Sequence, residues 1–420
     1  MNSKEKLQSA LQHREGPIPL DFGATTVTGI HCSIVADLRR IYRLPQVPVK
    51  VIEPYQMLGE IDNELRDAMG IDTIGIPARN TMFGFPMQQW KEWTTPWNQQ
   101  VLVSKDFEVD TINNNVMIYP QGDRTVAPSG KMPEGGYFFD AIIRQEPFDE
   151  EQLDPRDKLE EYKHITEETL QYYKEQVVYA QTTNKGVVAN FGGTAIGDIA
   201  LVPAPGLKHP KGIRDVTEWY ISTVTRQEYL HAIFSQQTDI ALDNLQKVFE
   251  RVGNSVDVVY ICGTDFGTQV SQFCSVDTFR ALYFPYYKKL NDWIHEHTTW
   301  KTFKHSCGAV EPFIESFIEA GFDVLNPVQC TATGMEPEHL KSTYGDCIVF
   351  WGGGVDTQGT LPFGTPEAVK KEVTERLEIF GRNGGYVFNT IHNLQAGTPI
   401  KNIEAMIQAI NEYNLEKCCN

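Results

Sequence analysis

The 420-residue chain has no run of about 18 apolar residues, the least that a membrane-spanning helix requires. Its first sixteen residues are charged and helical in pattern, with no apolar stretch leading to a small-residue cleavage site. That is not a secretory signal, so a cytoplasmic protein without membrane contact is expected. Cationic side chains are few, 37 Lys and Arg against 55 Asp and Glu, for a formal net charge of −18. Such a surface repels phosphate backbones, which argues against nucleic acid as a partner and suits solubility or a cationic partner. Cysteine is sparse as well: eight residues with no framework spacing, which argues for reduced thiols. Cys418 and Cys419 lie at the tail, where chains fray; Cys307 and Cys330 hold the more interesting positions. No internal repeat and no low-complexity segment occurs, and no Gly-rich dinucleotide turn follows the first apolar run.

What is present is an alternation. Eight short apolar runs read as strands: Ile18–Phe22, Ile71–Ile76, Val187–Phe191, Asp257–Cys262, Lys301–His305, Asp323–Val328, Ile348–Gly353 and Tyr386–Ile391. They are dense in Val, Ile and Phe, as strands buried on both faces must be. Helical periodicity fills the intervals, most clearly over Asp154–Gln181, Arg226–Arg251, Val276–His297, Ala309–Ala320, Pro366–Phe380 and Ile400–Tyr413. Thr365-Pro366-Glu367 supplies a cap, a first-turn proline and an acid in order. Repeated strand–helix units in a chain with 41% apolar residues predict an α/β fold, a closed (β/α)8 TIM barrel, as one domain over 1–420. An open doubly wound sheet is the alternative.

Residues 80–150 break the rhythm. They hold three tryptophans and alternating patches at Phe107–Asp110 and Val116–Tyr119. Turn signals stand at Asn113-Asn114-Asn115 and Pro133-Glu134-Gly135-Gly136. A β-rich insertion after the second strand is expected, placed to act as a lid, as a dimer interface, or as a plain hairpin.

In a barrel, chemistry gathers where strands end. Those ends carry Asp21 with His31 soon after, Arg79, Asn190, Asp265 and Gln269, His305 and Cys307, Gln329 and Cys330, Asp356, and His392 with Asn393. His305 and Cys307 form the sharpest pair. Residues two apart on a strand face one side, so imidazole and thiol can meet at the mouth. That is a borderline-soft donor pair suited to zinc. The bland alternative is a buried Cys beside a hydrogen-bonded His. A third ligand would come from His392 or Cys330. Cys330 also fits as a small core residue, and His392 as a substrate hydrogen bond. Asp265 and Asp356, on glycine-flanked loops, are candidate acids or bases, or else braces of those loops. Asn190, Gln269, Gln329 and Asn393 are candidate substrate contacts. His31 is either a site residue or the cap of a helix over Ser33–Arg43.

Several segments resemble the uroporphyrinogen decarboxylase superfamily. They include Leu11-Gln-His-Arg-Glu15, Tyr283-Phe-Pro-Tyr-Tyr-Lys-Lys289, His305-Ser-Cys-Gly308 and Ala320-Gly-Phe-Asp-Val-Leu325. Gly352-Gly-Gly-Val-Asp-Thr357, Gly385-Tyr-Val-Phe-Asn389 and Thr398-Pro-Ile-Lys-Asn402 continue the series. The likeness is clear over 250–415 and thinner elsewhere. It implies a (β/α)8 barrel and one of two chemistries. One branch decarboxylates porphyrinogens without metal or cofactor. The other transfers methyl groups, with zinc, to or from a corrinoid carried on a partner protein. The decarboxylases carry paired arginines after the first strand, and Asp21–His31 here has none. A polycarboxylate substrate needs such guanidinium forks. The methyltransferases carry H-x-C on the fifth strand and a cysteine near the end of the eighth. His305 and Cys307 match the first part, and His392 stands in place of that cysteine.

The leading expectation is therefore a zinc-dependent methyltransferase that moves a methyl group between a small methylated substrate, or a thiol or pterin acceptor, and a corrinoid protein. Its zinc ligands would be His305, Cys307 and His392. The alternatives are a cofactor-free decarboxylase anchoring a carboxylate on Arg79, and a non-enzymatic barrel that binds a corrinoid or tetrapyrrole.

Overall fold

The computed structural model describes residues 1–419; the side chains at Cys418 and Cys419 lie outside the described residues. Seven parallel strands form one curled sheet: Thr73–Ile76, Gly186–Ala189, Val258–Cys262, Lys301–His305, Val324–Asn326, Val349–Trp351 and Tyr386–Val387. Each pairs with the next in chain order, as in a barrel wall. Helices occupy the intervals and cover the outer face of the sheet, while its inner face packs on itself. The strand Val258–Cys262 is buried at every position, which explains why its sequence does not alternate.

The eighth stave is shorter than Ile18–Phe22 suggests. Leu20 makes a single parallel bridge to Phe388. Asp21 N–H donates to the Phe388 carbonyl and Phe388 N–H to that of Pro19, each at 2.9 Å, while Asp72 N–H reaches the Leu20 carbonyl at 2.8 Å. Pro17 and Pro19 remove the amides that a full ladder would need. The barrel closes on this one bridge and is fastened by the Asp21 carboxylate. That group accepts from Thr73 Oγ1 (2.6 Å), Trp351 Nε1 (2.8 Å) and Ala24 N–H (3.2 Å). The fold is thus mixed α/β, a TIM barrel. Val188, Val258, Tyr260, Phe303, Val324, Val349, Trp351 and Val387 fill its interior, and a larger apolar layer lies between sheet and helices.

Local chemistry explains where elements depart from the periodic pattern. The stretch Val276–His297 is two helices, Val276–Leu282 and Phe284–His297, because Pro285 fits only the first turn of the second. Asp154–Gln181 resolves into a turn over Pro155–Lys158 and a helix over Glu167–Gln181, capped by Thr166. Pro366–Phe380 is helical over its whole predicted range, with the Thr365 side chain accepting from Ala368 N–H.

Two small sheets accompany the barrel. One joins Leu58–Gly59, Val49–Glu53, Gln100–Val103 and Lys91–Thr94; the other joins Val109–Ile112, Asn115–Ile118, Gly130–Met132 and Asp140–Ala141. The first draws in residues 49–59, ahead of the 80–150 segment; the many prolines around them hide these strands in the sequence. Asn113 (φ 50°) and Asn114 (φ 62°) make the tight hairpin turn in which both central residues have positive φ. The sheets are tied to loops at the carboxyl ends of the barrel strands. Gln121 Nε2 donates to the Gly206 carbonyl at 2.9 Å, and Lys208 pairs with Asp123 at 2.6 Å. Among the described residues no helix is long and apolar enough to cross a membrane.

Candidate metal centre

Lys301–His305 presents Phe303 to the barrel interior, and two residues on His305 does the same at the mouth. The chain then turns through Gly308 at φ +88°, where a Cβ would come within 2.3 Å of the Gly267 backbone. This close passage brings Cys307 alongside His305, with Sγ 3.4 Å from Nε2. The strand end at Val387 leads to His392, whose ring centroid is 5.5 Å from that of His305 at 78°. One ligand atom each from His305, Cys307 and His392 lies within 4.8 Å of the others.

Neighbours set the protonation of each donor. Asn326 Nδ2 donates to the Trp351 carbonyl at 2.8 Å, so its Oδ1 faces His305 Nδ1 at 2.6 Å. A carbonyl-type acceptor there requires Nδ1–H and leaves the Nε2 lone pair directed at Cys307. Burial pulls His305 down to about 4, against the Asn326 bond, which raises it. His392 is also pulled down to about 4, by burial and by His305. Its Nδ1 accepts Asn393 N–H at 2.8 Å, which places the proton of the neutral ring on Nε2. Burial, then the charge of Asp265, push the Cys307 thiol well up. Asp265 Oδ1 accepts Cys307 N–H at 2.7 Å and lies 3.8 Å from His305 Nε2.

This donor set fits a soft divalent metal. Two neutral imidazoles and one thiol stand together, and the His305–Cys307 separation is close to the roughly 3.5 Å that zinc bond lengths impose on tetrahedral ligands. The bond from Asn326 is the outer-shell support that ligating histidines commonly have.

The other predicted site residues fall elsewhere. Cys330 is outside the trio: its Sγ faces the carbonyls of Val328 (3.3 Å) and Gly353 (3.7 Å), and burial pushes it to about 12. Gln329 Oε1 accepts Gly308 N–H at 2.7 Å, bracing the turn beside Cys307. Asn190 accepts Gly192 N–H at 3.0 Å, and Asp356 accepts Gln358 N–H at 2.8 Å, each closing its own loop. Gln269 is exposed on the rim, 3.4 Å from Gln358. Asn393 is buried and engaged on all sides, by Gly29 N–H (2.5 Å), the Thr26 carbonyl (2.9 Å) and Gln56 Oε1 (2.9 Å). His31 caps the helix Cys32–Ile41 and bonds the Tyr137 carbonyl at 3.0 Å, joining barrel to insertion. Arg79 pairs with Glu168.

Two residues at the centre escaped the sequence reading. Asn326 sits opposite His305 in the parallel ladder, a neighbour that only strand register reveals. Lys304 is fully buried behind the trio, its Nζ donating to the carbonyls of Thr264 (2.7 Å) and His305 (2.5 Å). A lysine inside a buried strand was the available signal.

A parallel barrel with its ionisable side chains drawn to the carboxyl ends of its strands is built as barrel enzymes are. Residues 141–413, more than half of the chain, match the family model for uroporphyrinogen decarboxylase (URO-D). The chain belongs to the URO-D family. The match begins where the second small sheet ends. Uroporphyrinogen decarboxylase from Methylobacillus flagellatus is 42% identical over 99 residues, 24% of this chain and 26% of that protein. The enzyme from Methylococcus capsulatus is 28% identical over 102 residues, 24% of this chain and 27% of that one. These matches span about a quarter of either relative. A methyltransferase from Methanosarcina mazei shares the fold, with TM-score 0.56 and 16% identity over 98% of this chain and 99% of that one.

Proposed function

We propose that this URO-D family member is a metal-dependent methyltransferase, exchanging a methyl group between a small methylated substrate or acceptor and a corrinoid held on a partner protein. The observation that carries the reading is the His305–Cys307–His392 trio, with the His305 lone pair fixed toward Cys307 by Asn326. A decarboxylase working through carboxylate recognition has no use for a thiol there. The arginine nearest to serving it, Arg79, is committed to Glu168. The Methanosarcina protein of the same fold is itself a methyltransferase, in keeping with this reading.

His305, Cys307 and His392 would hold the metal. Bound zinc acts as a Lewis acid, lowering the pKa of a thiol acceptor or polarising a methyl ether oxygen. Asn326 keeps His305 in the tautomer with Nε2 free. Asp265 fixes the Cys307 amide, and its carboxylate, partly open to solvent, is positioned to take or return a proton at the mouth. Lys304 places a buried cation behind Asp265 and Cys307 and pins the two carbonyls that set their loops. Gln329 and Asn393 serve as braces for Gly308 and for the loop after His392.

The test is methyl transfer itself. Zinc-loaded protein is mixed with 2-methoxyphenol and cob(I)alamin under reducing conditions. The ether O–CH3 bond breaks, the methyl joins cobalt, and the phenolate leaves. Growth of the methylcobalamin spectrum with wild type and its loss in Cys307→Ala is the expected result. With a thiol acceptor and methylcobalamin the reverse spectral change is the complementary assay. Carbon dioxide release from a carboxylated substrate by metal-free protein, with neither spectral change, would overturn the reading.

A further inference from the structure

A second cluster of buried charge lies beside the mouth, outside the metal trio. Lys158, Glu161, Tyr162, Asp198, Trp219 and Gln237 are among the residues lining a narrow cleft of about 260 Å³, the open solvent at its entrance included. Its charged lining is one ammonium, Lys158, and two carboxylates, Glu161 and Asp198.

Lys158 is buried, yet its Nζ has a single hydrogen-bond acceptor, the Val202 carbonyl at 3.3 Å. Among the described residues no carboxylate lies within ion-pair distance of it. Glu161, the acid whose charge bears on it, is committed to Arg214 at 2.7 Å. Arg214 is itself fully buried and spends its remaining donors on the carbonyls of Lys211 and Asp157. Asp198, the other acid in the lining, accepts the amides of Ala200 (3.0 Å) and Gly263 (3.2 Å). The Lys158 ammonium sits 4.9 Å over the Trp219 ring, which attracts the charge but offers no acceptor. Trp219 Nε1 is itself a buried donor with no acceptor at hydrogen-bond distance, the Tyr283 hydroxyl being the polar group beside it. Two donors, one of them cationic, thus border one cleft without the acceptors that buried donors require.

We infer that this cleft is a binding site for a small oxyanion, a carboxylate or phosphate group, held by Lys158 and by the Trp219 indole N–H. An oxyanion supplies what the two committed carboxylates do not: a negative charge within reach of Lys158, and lone pairs for both donors at once. Burial, then Arg214, pull Lys158 down to about 7, and a bound anion opposes both effects by restoring the ammonium. The cleft meets the metal side through Asp198, which holds the amide of Gly263 two residues before Asp265. A ligand seated here by its charged end would therefore lie beside the mouth.

The experiment uses the full chain stripped of metal, so that it reads this site and not the trio. Benzoate and inorganic phosphate are titrated separately by calorimetry at fixed ionic strength in sodium chloride, with wild type, Lys158→Met and Trp219→Phe. Saturable one-site binding of at least one probe is expected. It should weaken about tenfold or more in Lys158→Met and by a smaller factor in Trp219→Phe. Binding of benzoate alone assigns a carboxylate ligand; binding of phosphate alone assigns a phosphoryl one. The Trp219 indole proton resonance in wild type, assigned by its loss in Trp219→Phe, should shift on saturation, a readout that needs no folded Lys158 variant. No saturable binding to wild type, or equal affinity in wild type and a folded Lys158→Met, would overturn the inference. The metal content of Lys158→Met should match wild type, so failure of either proposal leaves the other standing.

Discussion

His305 Nδ1 and Asn326 Oδ1 face each other at 2.6 Å across the parallel ladder, and the Trp351 carbonyl holds the amide in that orientation. The contact fixes which imidazole nitrogen is free. Replacing Asn326 by leucine keeps the branched side-chain skeleton and removes the acceptor, together with the donor to the Trp351 carbonyl. Metal affinity should fall about 10- to 100-fold, as it does when outer-shell partners of ligating histidines are lost. Competition against a chromophoric chelator, with circular dichroism to verify folding, measures this; unchanged affinity would detach Asn326 from the centre.

Metal uptake should depend on pH with a definite sign. Burial and Asp265 hold the Cys307 thiol protonated well above neutrality, whereas His305 is pushed down to about 4 and does not compete for protons above pH 5. Metal binding therefore displaces about one proton, from Cys307. Apparent affinity should rise about tenfold per pH unit between roughly pH 6 and 8. Chelator competition at three pH values tests it, and a flat profile would contradict thiolate ligation.

The three donors should not be equal. His305 has a free lone pair at Nε2, while His392 accepts at Nδ1 and carries its proton on Nε2. Coordination through Nε2 of His392 would move that proton and break the Asn393 bond. His392→Ala should therefore lower metal affinity less than His305→Ala or Cys307→Ala, by about tenfold or more. A larger loss in His392→Ala than in the other two would reverse this ranking.

Barrel closure rests on a single bridge and on Asp21. Asp21→Ala leaves Thr73 Oγ1, Trp351 Nε1 and Ala24 N–H without their acceptor in a buried site. Each orphaned donor costs about 1–3 kcal/mol. The variant should lose several kcal/mol in urea unfolding, and Asp21→Asn, which keeps one acceptor oxygen, should lose less. A loss below about 1 kcal/mol in Asp21→Ala would refute its role as fastener.

The sequence reveals the wall of the barrel better than its seam. Lys301–His305 is a strand from its first predicted residue to its last, although Phe303 is the one apolar residue among its five. Ile18–Phe22 contracts to one bridge because two prolines remove its donors. The His305–Cys307 pairing follows from the two-residue period, but Asn326 comes from another strand and needs register to be seen. Polar residues at strand ends have a structural duty that the sequence does not show. Tight loops leave backbone N–H groups that need acceptors, and Asn190, Gln329 and Asp356 each supply one. The Lys158 cleft left no pattern, since its parts come from segments up to about eighty residues apart.

The central claim is that His305, Cys307 and His392 form a metal site. The direct test is elemental analysis of protein purified without added metal, for wild type and for Cys307→Ala side by side. About one zinc per chain in wild type, lost in the folded variant, is the result the geometry predicts. Wild-type protein that is metal-free as purified and takes up no zinc on titration would contradict it. His305 and His392 would then stand as hydrogen-bonding groups for a substrate.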